Sequence, residues 1–317
     1  MSGARTLTVA EAEAGERLDR WLKRQAPGVG HGLVQKWLRT GQVRVDGGRA
    51  KGNRRLETGQ RIRVPPAPDR PAGPAKTTVR VDPADASALA DRVLHEDDAV
   101  LVIDKPPGLA VQGGSGQRRN LDDMLAALAP PGGEKPRLVH RLDKDTSGVL
   151  VVARDATAAR ALTRAFRDKD AKKIYWAIVV GAPPEAEGSV AQTLLKSAGA
   201  HGDRVIADDP DGKAARTDYR VLGEAGRRLT WLELQPRTGR THQLRVHCAD
   251  GLRTPILGDG KYGGKAAFVS GSFERRLHLH ARSLEIPHPS GGVLRCTAAP
   301  PGHFVGALDT LGFSWSA

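Results

Sequence analysis

Cysteine is nearly absent from this chain. Cys248 and Cys296 are the two cysteines among 317 residues, and they form no CxxC pair. That argues against a zinc site or a disulfide scaffold and fits a reducing compartment. No apolar run approaches the roughly 20 residues of a membrane span. The opening segment, MSGARTLTVAEAEAGERL, carries glutamates where a secretory signal needs an apolar core. The expectation is a cytoplasmic protein without membrane association. A P-loop is missing too: Val111-Gln112-Gly113-Gly114-Ser115-Gly116 is flexible enough to be mistaken for one, but there is no GxxxxGK[ST] and no strand-to-helix pattern. Acidic residues are in deficit, 36 against 49 Lys and Arg, for a net charge of +13. An excess of this size points to a polyanionic partner.

The length suggests about two domains. From Glu16 to Val64 the pattern is compact. RLDRWLKRQ puts Leu18, Trp21 and Leu22 on one helical face and turns Arg17, Arg20, Lys23 and Arg24 elsewhere. A second helix is expected at Leu33–Leu38. Short alternating strands are expected at 42–45 and 61–64, separated by the turn signal Asp46-Gly47-Gly48. Two small basic helices and a hairpin resemble the S4 RNA-binding domain. The resemblance implies an RNA-binding unit over 1–64, with a short N-terminal tail, that meets phosphates through Arg17, Arg20, Lys23, Lys36 and Arg39. Residues 65–90, rich in proline and alanine, read as an extended linker.

The second domain, 91–317, opens with two short strands around an acidic turn at 93–103 and runs into the loop Asp104-Lys105-Pro106-Pro107-Gly108. Short helical patterns cover Leu121–Leu128 and Ala156–Asp168. The second carries Leu162 and Phe166 on one face, and Arg160, Arg164 and Arg167 on another. The central stretch is His140–Arg154, HRLDKDTSGVLVVAR. Its apolar run Val149–Ala153 lacks helical periodicity and reads as a strand buried on both faces, with the polar segment as a loop at its mouth. A carboxylate held at the end of a rigid strand suits an active site.

His140-Arg141-Leu142-Asp143 with Thr146-Ser147-Gly148 resembles the hallmark of the RluA-type RNA pseudouridine synthases. The KPPG element, the strand Lys173–Gly181, the segment Arg237–His247 (RTGRTHQLRVH), Pro255–Asp259 and Leu279–Arg282 continue that resemblance along nearly the whole chain. The N-terminal unit and KPPG followed by VQGGSG look most like the RluC branch, although Gln112 stands where many relatives have His. The resemblance implies an α+β catalytic domain with a mixed, largely antiparallel sheet and a central cleft. It implies isomerisation of uridines to pseudouridine in RNA, with 23S ribosomal RNA as the expected substrate, no cofactor, no metal and a monomeric enzyme. A synthase acting on transfer RNA and a non-catalytic ribosome-assembly factor are the alternatives.

Pseudouridine formation breaks the N1–C1′ bond, turns the base and joins C5 to C1′. It needs an ionised carboxylate, which the resemblance places at Asp143. Such a group can add to the base, add to C1′ or abstract the 2′ proton, and the residues leave all three open. A guanidinium beside it keeps it charged where water is excluded, and Arg245 is the candidate. The resemblance also makes Tyr175 the active-site tyrosine, which would stack on the flipped base and take part in proton transfer at C5. By the same resemblance Arg141 would fill the gap that the base leaves. His140, Thr146, Arg240, His242 and Leu279 complete the expected substrate contacts. Asp145 as a second acid would suggest glycosidase chemistry, but in extended chain it points away from Asp143 and reads as a loop residue. His242, His247, His278 and His280 are expected to be hydrogen-bonded or to contact RNA rather than to bind metal.

Overall fold

The strand β1 (Arg5–Thr8) lies in what the sequence suggests is a tail. The computed structural model describes residues 4–26, 29–66, 82–113, 119–130, 132–199 and 202–316. The chain divides into two compact units at residue 79. In the first, α1 (Leu18–Gln25) buries Leu18, Trp21 and Leu22 as its periodicity requires. The next helix, α2 (His31–Thr40), runs two residues beyond the expected span at each end and stops at Gly41, whose φ of 71° supplies a left-handed cap. The strand β2 is shortened to Arg44–Val45 because the amides of Gln42 and Val43 both turn back to the carbonyl of Trp37. The strand β3 (Arg61–Val64) pairs antiparallel with both β2 and β1. Arg5–Thr8 has Leu7 as its single apolar residue, so it shows no alternation and gains a place only by this pairing. Trp21, Trp37, Leu56 and Ile62 are among the side chains of the core.

Residues 67–81 of the expected linker lie outside the described residues. Its remainder corrects the reading: Pro83–Ala90 is a helix, α3, with Asp82 accepting from the Ala84 amide and proline in the first turn. Asp-Pro is a helix start, and the alanines after it favour the helix. Composition masks both signals.

The second unit is built on an 11-stranded sheet. The strands β4 (Val93–Glu96) and β5 (Val100–Lys105) form the expected pair around the acidic turn. After them come α4 (Leu121–Met124), continued by a 3₁₀ turn to Leu128, and the short β6 (Arg137–Leu138). The strand β7 (Ser147–Ala153) is buried throughout. Leu150 and Val152 pack with α3 and α4 on one face, while Val149 and Val151 meet α5 (Ala156–Asp168) on the other. Helices on both sides account for its uninterrupted apolar run.

Next come β8 (Lys172–Val180), β9 (Glu187–Gly199), β10 (Gly202–Ala207), β11 (Lys213–Ala225) and β12 (Leu229–Pro236). The helix α6 (Gln243–Val246) passes into a π-helical turn, His247–Gly251. The chain closes with β13 (Leu279–Pro287), β14 (Val293–Thr297) and α7 (Gly302–Thr310). The sheet order is β10-β9-β11-β12-β8-β13-β7-β5-β4, with β14 beside β13 and β6 beside β7. Pairing is antiparallel except between β13 and β7, where His280 meets Ser147 and Ala281 meets Gly148. The fold is therefore α+β with a mixed, largely antiparallel sheet. At the parallel junction Gly148 has φ 105°, and a Cβ there would run into the backbone of Ala281. Only glycine permits this approach, which brings the mouth of β7 beside β13, with β8 on the other side of that strand.

Candidate active site

The loop before β7 turns back on itself when the amide of Thr146 donates to the carbonyl of Asp143 at 3.2 Å. Lys144 and Asp145 stand at the exposed tip of this turn, while Asp143 is half-buried and Thr146 is buried. A second clamp comes from Lys105, whose side chain is fully buried. Its Nζ donates to the carbonyls of Pro106, Leu109 and Lys144 at 2.8, 2.9 and 3.0 Å. Burial pushes this ammonium down to about 7, against the pull of Asp145, Asp143 and Asp104. The lysine thus ties the KPPG loop to the residue between the two aspartates.

Asp143 opens onto a cleft of about 1170 Å³ in the second unit. Every residue expected at the catalytic site lines it: Asp143, Tyr175 and Arg245, with His140, Arg141, Thr146, Arg240, His242 and Leu279. Asp145 does not. The lining carries eight basic side chains and two acidic ones, Asp143 and Asp170, so the cleft favours an anion by charge alone. Arg17, Arg20, Lys23, Lys36 and Arg39 belong to the first unit. All but Arg17 are exposed, and Arg17 is engaged by Asp19 through two hydrogen bonds at 3.1 and 2.6 Å.

Arg245 lies near enough to Asp143 for the two charges to favour each other, but its direct ion pair is with another carboxylate. It forks onto Asp259, with Nε to Oδ2 at 2.8 Å and Nη2 to Oδ1 at 2.6 Å, both residues buried. Burial opposes its charge, but Asp259 and, at longer range, Asp143 outweigh that and keep the guanidinium protonated. Among the described residues, the basic side chain within 4 Å of the Asp143 carboxylate is the His242 imidazole, with Nε2 at 3.9 Å from Oδ1. His140 lines the cleft and is also anchored from behind. Its Nε2 accepts the amide of Val151 at 2.9 Å, its ring stacks on Phe166, and burial pushes it down to about 3. A neutral imidazole anchored in this way braces the loop against β7 and has its acceptor nitrogen already occupied.

Tyr175 projects from β8 toward the cleft, and burial followed by the charge of Asp143 pushes its hydroxyl well up. It is a neutral phenol, suited to stacking or to giving a proton rather than to acting as a phenolate base. Arg141 is exposed at the rim, donating to Gln112 Oε1 at 3.3 Å. Gln243 shapes the RTGRTHQ loop: its oxygen accepts from Thr238 and from the Arg240 amide, and its nitrogen donates to Arg216 O and Thr217 Oγ1. Arg240 Nε reaches the carbonyl of Ala214 at 3.2 Å. Leu279 is buried in the floor.

His247 bonds Thr217, His278 bonds the carbonyls of Leu257 and Arg276, and His280 bonds Ser147 and the carbonyl of Ala298. Hydrogen-bonded packing therefore describes all three. Lys105, Asp259 and Tyr262 are functional neighbours that the sequence alone does not single out. Lys105 and Asp259 lie in the KPPG and PILGD segments, so a signal is present without an indication of role. Tyr262 has no local signal.

The family model described as RNA pseudouridylate synthase matches residues 99–250. The chain is 38% identical over 310 residues to the ribosomal large subunit pseudouridine synthase C of Salmonella typhi, covering 96% of each chain. It is likewise 38% identical over 298 residues to the Escherichia coli (strain K12) protein of that name, covering 93% of this chain and 92% of the relative. The solved structure of human RNA pseudouridylate synthase domain containing 4 superposes with a TM-score of 0.61 at 32% identity, over 73% of this chain and 97% of that one.

Proposed function

The chain belongs to the RNA pseudouridylate synthase family, and from that premise we propose that it isomerises specific uridines of large-subunit (23S) ribosomal RNA to pseudouridine. The observation that carries this reading is the Asp143 carboxylate, held at the mouth of β7 inside a cleft with eight basic side chains and two acidic ones. A polyanion is drawn to such a cleft, and the one carboxylate beside Tyr175 acts on the base that enters it. Similarity to the ribosomal enzymes along nearly the whole of both chains supports the choice of RNA.

The target uridine leaves its stack to reach Asp143, a cost of a few kcal/mol. Arg141, exposed at the rim, takes the vacated place with its planar guanidinium. The base lies against Tyr175 over Leu279. The N1–C1′ bond breaks with Asp143 as nucleophile or base, the base turns, and C5 bonds to C1′. C5 gives up its proton and N1 takes one up, so the mass of the RNA is unchanged. The first unit holds RNA through the exposed Arg20, Lys23, Lys36 and Arg39. Among the described residues no helix is long and apolar enough to cross a membrane, and a cytoplasmic site of action fits a ribosomal substrate.

Pseudouridine mapping of ribosomal and transfer RNA by carbodiimide adducts and primer extension, with and without the protein, tests the proposal. Sites missing from 23S rRNA should return with wild type and not with Asp143→Asn. That variant should bind RNA as wild type does, because phosphate contacts dominate affinity. Sites missing only from transfer RNA would reassign the substrate, and no missing site would reject the activity.

A further inference from the structure

With Arg245 committed to Asp259, the neighbour of Asp143 is an imidazole, and the hydrogen bonds around it determine which nitrogen bears its proton. Resting on the reading of Asp143 as the reacting carboxylate, we infer that Tyr262 is a positioning residue that locks His242 as the Nε2–H tautomer, so that the ring presents a hydrogen-bond donor to Asp143. The Tyr262 hydroxyl accepts the amide of Val205 at 3.1 Å and lies 2.7 Å from His242 Nδ1. A phenol has one proton to give. Among the described residues its single acceptor is Nδ1, since the other contact is itself a donor. With the phenol proton directed at Nδ1, that nitrogen accepts, and a neutral imidazole then carries its hydrogen on Nε2. Nε2 is the nitrogen directed at Asp143 Oδ1, 3.9 Å away.

The opposite tautomer would set a lone pair against the carboxylate. The charged form is disfavoured as well. Burial lowers the imidazole first, Arg245 and Lys261 add to that, and Asp143 and Asp259 offset it only in part.

The surroundings are built to hold this arrangement. Asp259 accepts the Arg245 fork and the amides of Lys261 and Tyr262, so one buried carboxylate places both the guanidinium and the tyrosine. The Arg245 guanidinium lies 5.2 Å from the centre of the Tyr262 ring. His242 has φ 52°, a left-handed conformation that a residue with a Cβ seldom adopts. That conformation starts α6 and turns the ring between Tyr262 and Asp143. Backbone strain at a residue lining a cleft is retained when the surrounding bonds over-determine it. Here those bonds are the tyrosine contact and the Val246 amide, which donates to the His242 carbonyl at 3.0 Å.

The test is nitrogen-15 NMR of histidine-labelled full-length protein at neutral pH, with the His242 signals assigned by their loss in His242→Gln. Wild type should show protonated Nε2 and bare Nδ1. Tyr262→Phe should convert this to a mixture of tautomers, and single-turnover isomerisation should slow about tenfold with RNA affinity unchanged. His242→Gln should retain more activity than His242→Asn. The glutamine amide reaches the place of Nε2–H, whereas asparagine suits the left-handed backbone better but reaches only as far as Nδ1.

Protonated Nδ1 or an imidazolium in wild type would overturn the inference. So would an unchanged tautomer in Tyr262→Phe, or asparagine equalling or exceeding glutamine. If Tyr262→Phe does not fold, the wild-type spectrum and the glutamine–asparagine order decide. The spectrum needs no substrate, so a wild type that made no pseudouridine would reject the enzymatic reading without touching this one.

Discussion

Arg245 and Asp259 show how a buried charge pair organises a site. Asp259 is 1% exposed and Arg245 8%, so removing either charge strands the other in a poorly hydrated place. Asp259→Asn keeps an acceptor for the Lys261 and Tyr262 amides but leaves the guanidinium unpaired. The expected loss is about 3 kcal/mol in urea unfolding, accompanied by loss of isomerisation. Adding Arg245→Met should return part of the stability, because a buried pair replaced as a pair costs little, and should return no activity. A double variant no more stable than the single one would mean that the stranded guanidinium is not the source of the loss. Lys105 obeys the same logic in a different form: its three carbonyl partners satisfy the ammonium, and its pull on Lys144 O holds the Asp143 turn.

At the level of the element, β8 carries the side chains that a nucleotide would meet. Lys173 and Tyr175 are two residues apart on a regular strand and so share a face. Both line the cleft. Lys173 is half-buried, has no carboxylate within hydrogen-bonding reach among the described residues, and is lowered by burial alone. A cation in that position gains most from a phosphate beside the base that Tyr175 receives. Lys173→Met should weaken RNA binding and make the salt dependence of binding shallower by about 1 in log–log slope, the signature of one lost phosphate contact. An unchanged slope in filter-binding titrations would place the phosphate elsewhere. The helix α5 supports the same wall: Phe166 stacks on His140, while Arg160 and Arg164 remain outside that contact.

For the molecule as a whole, pH and salt are the informative variables. His247, His278 and His280 are buried, and burial pushes each down to about 4. Unfolding returns them to the ordinary value near 6.5, so between those limits the unfolded chain binds protons that the native one refuses. Stability contributed by these groups is full above about pH 6.5, falls as pH drops toward 4 and is then flat. Urea midpoints measured across that range should show the decline, and a midpoint independent of pH would contradict it. Salt reports on the N-terminal unit. On the proposal that its exposed Lys and Arg meet phosphates, deleting residues 1–66 should weaken RNA binding and give a shallower salt slope. Equal slopes for the two proteins would assign all such contacts to the second unit.

Much of this is legible in the chain itself. Val149–Ala153 announces a buried strand because an uninterrupted run of β-branched and apolar residues has little other use. Leu18, Trp21 and Leu22 announce a helix by spacing, and Asp46-Gly47-Gly48 announces a turn. The HRLD, KIY and RTGRTHQLR segments bring their residues to one cleft as their resemblance implies. Such signals are local: a period, a cap or a turn lies among neighbours in sequence. The strand at Arg5–Thr8 and the helix at Pro83–Ala90 escape because one has a single apolar residue and so no alternation, and the other resembles linker in composition.

Partnership is decided only in three dimensions. Arg245 chooses Asp259 over Asp143, His242 finds Tyr262, and Lys105 reaches a carbonyl 39 residues away. No pattern of neighbours encodes those choices. They come from the order in which β8, β13 and β7 sit in the sheet, and from a parallel junction so close that Gly148 alone can occupy it. A buried charge or hydrogen bond takes the partner that topology brings within about 3 Å, and only the folded chain sets that distance.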